Sequence, residues 1–138
     1  MTVVLAKARR IRGRLRGEDG SVATETVIAV PLAMFLILIV IHAALWIHAN
    51  HVAESVATRA LSAARVAGGS AETGEETGRQ AAAQVGAGVL LDPTIRVERG
   101  AERAQVEVTG VAPRVVPLLD LPVHAAADGP VERFVPDE

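Results

Sequence analysis

The chain has 138 residues, half of them apolar, with only three residues of the Phe, Trp and Tyr class (Phe35, Trp46 and Phe134) and no cysteine. That length holds one small domain or two fragments rather than a large enzyme core, and any core must be built from Ala, Val and Leu. The absence of thiols excludes disulfides, thiolate metal sites and thiol catalysis. The net charge of −2 conceals an asymmetry, since six of the 14 basic residues lie in the first 16 positions with no acid among them.

Those six, Lys7, Arg9, Arg10, Arg12, Arg14 and Arg16, make residues 1–20 a basic leader. An arginine-rich tail also suits nucleic acid, but no aromatic or helical reading element succeeds it. The next stretch is apolar, so the charge speaks of membrane topology, with the leader held in the cytoplasm and the rest of the chain outside.

From Thr26 to Asn50 there is no Asp, Glu, Lys or Arg, and Val27 to Ile47 is almost unbroken apolar sequence. As a helix rising about 1.5 Å per residue, that run spans roughly 31 Å, the thickness of a bilayer's hydrocarbon core. It exceeds the apolar stretch of a secretory signal, roughly 7–15 residues, so cleavage at the Ala-rich sequence near Ala43 is disfavoured and the span stays with the mature chain. Pro31 removes one helical hydrogen bond inside the run and marks a kink. Trp46 falls at the outer interface, where an indole reaches water. His42, His48 and His51 cluster at the same end. His48 and His51 are one turn apart, a spacing open to a metal pair, but their place marks them as interfacial polar residues ending the span.

Beyond the span, Val52, Val56, Ala60, Ala63 and Ala67 recur every three or four residues, while Arg59 and Arg65 fall off that row. This predicts an amphipathic continuation with a thin small-residue stripe, suited to packing on other helices or left as an exposed stalk. Gly68-Gly69 ends it. Residues 70–78, SAETGEETG, have the composition of an acidic linker, and a second helix is expected from about Glu75 to Leu90, before the Asp92-Pro93 turn. The period then changes to two: Ile95 and Val97 alternate with charged residues, as do Val106 and Val108, with Gly100 to Glu102 as the loop of a hairpin. A third alternating run, Val123 to Ala127, comes after the proline-bounded PRVVPLLDLP.

None of this assembles a catalytic constellation. Asp120 and His124 are four apart, but there is no Gly-x-Ser-x-Gly elbow, no Gly-rich phosphate loop and no His-Glu-x-x-His. The expectation is a non-enzymatic protein with no cofactor and no metal.

Two further stretches carry a resemblance. DGSVATETVIAVPLAMFLILIV, and after it ATRALSAARVAGG, resembles the amino-terminal part of TadE-like proteins, pilin-related pseudopilins of tight-adherence (Flp-type) pilus assembly. The shared order is a basic leader, a glycine, small residues and a glutamate, then an apolar span with an early proline, then an Ala/Arg-rich helix. Where that family often carries an acidic–aromatic pair near the outer end, this chain has LWIHA. The resemblance implies cleavage by a membrane prepilin peptidase after Gly20, leaving Ser21 as the new amino terminus and Glu25 as the fifth residue. It further implies that Glu25 sets assembly register by pairing with a neighbouring subunit's amino terminus. Implied partners are the lipid bilayer, prepilin peptidase, other pilin-like subunits and pilus assembly membrane proteins, with no nucleic acid.

The expected architecture is a membrane-anchored α+β protein: a long N-terminal transmembrane helix with an amphipathic extension, then a helix and a small antiparallel β portion. Its parts are the leader (1–20), the transmembrane helix and extracytoplasmic extension (21–69), the acidic linker and second helix (70–93) and a small strand-rich exported portion (94–138). The alternative is a signal-anchored cell-envelope protein whose outer domain binds a partner unrelated to pili.

Overall fold

A computed structural model describes the backbone of residues 19–132 and the side chains of residues 26–132. The leader, and the end of the chain with Phe134, lie outside the described residues. The elements in order are α1 (Asp19–Arg65), α2 (Ala71–Val85), β1 (Leu91–Arg99), β2 (Arg103–Val111) and β3 (Pro122–Pro130). The chain divides into two compact units between Ile39 and Val40.

In the first unit, every described residue of α1 from Thr26 to Ile39 is exposed. A helix whose apolar side chains face outward all round has no polar face to give to water, and by length and composition it could cross a membrane. The helix continues through Pro31, whose missing N–H leaves the Val27 carbonyl without its usual donor.

In the second unit, α1 acquires a buried face. Ala49, Val52, Ala53, Val56, Ala57, Ala60, Leu61 and Ala64 are all buried there. The row expected from sequence drifts: Ala63 is half-buried and Ala67, past the helix end, is exposed. At 3.6 residues per turn a row stepping by four rotates, and the stripe moves onto Ala57, Leu61 and Ala64. The stripe is packed rather than left as an exposed stalk: helix α2 and the sheet of this same chain cover it.

Helix α2 begins at Ala71, inside the stretch expected to be a linker, rather than near Glu75. Ser70 is its N-cap, its hydroxyl accepting from the Thr73 N–H at 3.1 Å, and Glu72 sits in the positive first turn. The two glycines that made SAETGEETG resemble a loop, Gly74 and Gly78, are four apart on the buried face. A Cβ on Gly74 would stand 2.9 Å from the Ala64 Cβ and 3.0 Å from the Ala60 carbonyl oxygen, and one on Gly78 2.9 Å from the Ile95 side chain. Two rows of small residues thus let two helices and a strand approach closely. Helix α2 ends at Gly86, whose N–H bonds back to Ala82, rather than running on to Leu90.

The three strands form an antiparallel meander in the order β1-β2-β3. Period-two alternation sends Val97, Ala104, Val106, Val108, Val123 and Ala125 inward. The register stacks Val97 on Val106 and Ala127, and Ile95 on Val108 and Ala125. Strand β1 carries Pro93 and a register irregularity between Leu91 and Thr94, and β3 starts and ends with proline. The largest fully buried side chains among the described residues are Val56, Val108 and Val123, so the apolar core is built from small aliphatic residues.

The far end of α1 is closed by the sheet. Gly68 takes a left-handed φ of +81°, which a side chain would resist, and Gly69 N–H returns to Val66. Arg99 donates to the Val66 carbonyl at 3.3 Å, and Glu132 N–H donates to that of Arg65 at 2.8 Å. A guanidinium on the last carbonyls answers the helix's negative end.

Candidate functional site

The residues singled out for processing and assembly, Gly20, Ser21 and Glu25, fall in the first turns of α1, and their side chains lie outside the described residues. Counted along the helix, Ser21 and Glu25 are one turn apart.

Sequence reasoning missed the junction at the outer end of the apolar run. His42 does not face an interface: it is 2% exposed. Its Nδ1 accepts hydrogen bonds from the backbone N–H groups of Val115 and Val116 at 3.3 and 3.4 Å. An Nδ1 that accepts carries no proton, so the ring's hydrogen sits on Nε2. Trp46, one turn further on, points its indole N–H at the Pro122 carbonyl oxygen, 2.9 Å away. Asn50 continues the polar edge with a bond to the Trp46 carbonyl. His51 meets Glu54 at 3.5 Å, and His48 is exposed. Among the described residues no group of three or more His, Cys, Asp or Glu is placed to hold a metal ion.

The segment held by His42 and Trp46 is the β2–β3 loop, residues 112–121. Its neck is closed by Ala112 N–H on the Leu121 carbonyl at 3.1 Å. Arg114 and Asp120 pair with each other across it at 2.9 Å. At the tip, Leu118 is 96% exposed and holds a left-handed φ of 65°. That conformation costs a non-glycine residue about 1–2 kcal/mol, so an apolar residue there is unusual twice over.

The outer face of the sheet is polar. Arg96, Glu98, Gln105, Glu107, His124 and Asp128 line a shallow concavity. His124 Nε2 and Glu107 are 2.9 Å apart, and Arg103 pairs with Asp128. These side chains are largely exposed, and the two pairs are of the kind found on a solvated sheet face.

The fold is therefore that of an α+β protein with, among the described residues, one helix long and apolar enough to cross a membrane, carrying a small helix-and-sheet portion. Residues 20–67, about a third of the chain, match the family model described as TadE-like protein. The matched segment begins at Gly20 and runs through α1 to just past its end, leaving α2 and the sheet outside. A TadE-like segment points to a component associated with the tight-adherence pilus, with pilin-like or pilus-assembly partners. No curated protein and no solved structure matches the chain.

Proposed function

We propose that this protein is a non-enzymatic pseudopilin or minor-pilin-like component of tight-adherence pilus assembly or a related secretion machine. The coincidence that carries the reading is between the matched segment, residues 20–67, and α1, the one helix suited to a membrane among the described residues. The basic leader stays in the cytoplasm and the α2–sheet portion is exported. A prepilin peptidase cuts after Gly20, and glycine before the scissile bond leaves the protease free to approach the backbone. Glu25, the fifth residue of the product, is costly at the lip of a bilayer unless paired, and the free amino terminus of a neighbouring subunit is a fitting partner.

A second reading, a signal-anchored envelope protein with an outer binding domain, draws support from α2 and the sheet, which lie outside the matched segment. Amino-terminal sequencing of the membrane fraction separates the two. Ser21 as first residue is the outcome expected for the pseudopilin. An intact leader on protein that never co-purifies with pilus components would overturn it. A soluble product starting near Ala44 would remove the membrane role altogether.

A further inference from the structure

We propose that the β2–β3 loop is a membrane foot: Leu118 and Leu119 enter the outer leaflet and seat the sheet portion on the lipid surface. The inference rests on α1 being a membrane anchor and adds to it a second point of contact.

The loop is tied to α1 at two places. Pro122, at its return, meets Trp46, while Val115 and Val116 meet His42. His42 lies one turn, about 6 Å, nearer the apolar run than Trp46. The loop is thus tied to α1 at Val115 and Val116 by the residue nearer Val40, and Leu118 and Leu119 come just after that tie in sequence. On the helix, Val40, Ile41 and Ile47 are exposed to either side of His42. The other exposed large apolar residues of this unit are Trp46, Val66, Val85 and Leu91. Leu91 pairs with Val111, at the neck of the same loop, whereas Val66 stands at the opposite end of α1.

The chemistry of the loop fits lipid rather than water. Its two charges neutralise each other as the Arg114–Asp120 pair, leaving Val115, Val116, Pro117, Leu118 and Leu119 between them without charge. Pro113 and Pro117 have no N–H to desolvate. The one indole is tied to the loop's return, hydrogen-bonded and only partly covered, as rings at a lipid–water boundary are. An exposed apolar surface beside the end of a membrane span, rimmed by a tryptophan and a paired charge, is a lipid-facing surface.

The chain has no cysteine, so a single introduced thiol reports one position. Full-length Leu118→Cys, carrying an environment-sensitive fluorophore, is reconstituted in phosphatidylethanolamine–phosphatidylglycerol vesicles. Phe35→Cys marks the span and Ala67→Cys the far end of α1. The expected result is blue-shifted emission at 118, quenched by bromine-labelled acyl chains as at 35 and insensitive to iodide, with the reverse at 67. Lipid quenching at 35 but iodide quenching at 118 would overturn the foot while leaving the anchor intact. Shielding of 118 from both quenchers would also overturn it, in favour of cover by a second protein. Failure of lipid quenching at 35 itself would remove the anchor and the foot together.

Discussion

Trp46 and Pro122, 76 residues apart in sequence, are joined by a hydrogen bond of 2.9 Å from the indole N–H to the carbonyl oxygen. With the paired acceptance by His42 one turn away, this bond fixes the longest loop among the described residues onto α1. His42→Ala leaves the Val115 and Val116 N–H groups without that acceptor. A partly buried donor left unsatisfied costs about 1–3 kcal/mol. Unfolding of detergent-solubilised protein, followed by the emission of its one tryptophan, should show a loss in that range. Trp46→Phe, which removes one partly exposed bond, should cost about 1 kcal/mol, measured by amide exchange or circular dichroism because the fluorophore is gone.

Gly74→Ala and Gly78→Ala set two effects against each other. Alanine is a better helix former than glycine by about 1 kcal/mol. The added Cβ, however, meets the Ala64 methyl group or the Ile95 side chain at 2.9 Å, and Gly74 also faces a backbone oxygen at 3.0 Å. Overpacking of that kind costs about 1–3 kcal/mol. Steric cost should prevail most clearly at Gly74, where backbone cannot yield, giving a lower unfolding midpoint. Gly78→Ala should be milder, since Ile95 is half-buried and can shift. A rise in stability at Gly74 would mean that α1 and α2 are further apart than these distances require.

Arg99 caps the end of α1 through the Val66 carbonyl, with its Nε buried and lacking a hydrogen-bond partner. Arg99→Met keeps much of the aliphatic stem and removes the charge. A capping cation of this kind contributes about 0.3–1 kcal/mol, so the expected effect is small and local. Faster amide exchange at residues 63–69, with the strands unaffected, is the measurement that checks it.

Glu72 supplies a pH dependence. Its carboxyl is held below the ordinary value of 4.5 by a hydrogen bond with its own backbone and by one with Ser70. A carboxylate whose folded value is depressed contributes stability that is present above the unfolded value and is lost as pH falls through the folded one. The first turn of α2 should therefore loosen on acidification below 4.5, seen as faster exchange at residues 71–75. Glu72→Gln should abolish that dependence. Because Glu72 is fully exposed, the effect stays confined to that turn.

Glu25→Ala tests the assembly role. Insertion into the membrane should be unchanged, because removing a carboxylate from the mouth of an apolar span eases burial. Recovery with pilus components should fall. Unchanged recovery would count against the pairing of Glu25 with a neighbouring amino terminus.

The strands were legible because alternation survives a small core: Val97, Val106 and Val108 point inward as their spacing demands. The first half of α2 was not. Gly74 and Gly78 lower helix propensity, and the tertiary contacts with Ala60, Ala64 and Ile95 explain them. The burial of His42 was hidden for a different reason. A histidine at the edge of an apolar run suggests an interface, and its partners lie 73 and 74 residues away, beyond the reach of any local pattern.

The sheet has consequences for self-association. A three-stranded meander leaves β1 and β3 with open backbone edges, the usual template for strand addition by another molecule. Here Pro122 and Pro130 bracket one edge, while Pro93 and the register irregularity interrupt the other. Proline offers no donor to an incoming strand, so the β3 edge is closed off at both ends and the β1 edge is interrupted. Addition of a strand from a second copy is thereby discouraged at both edges.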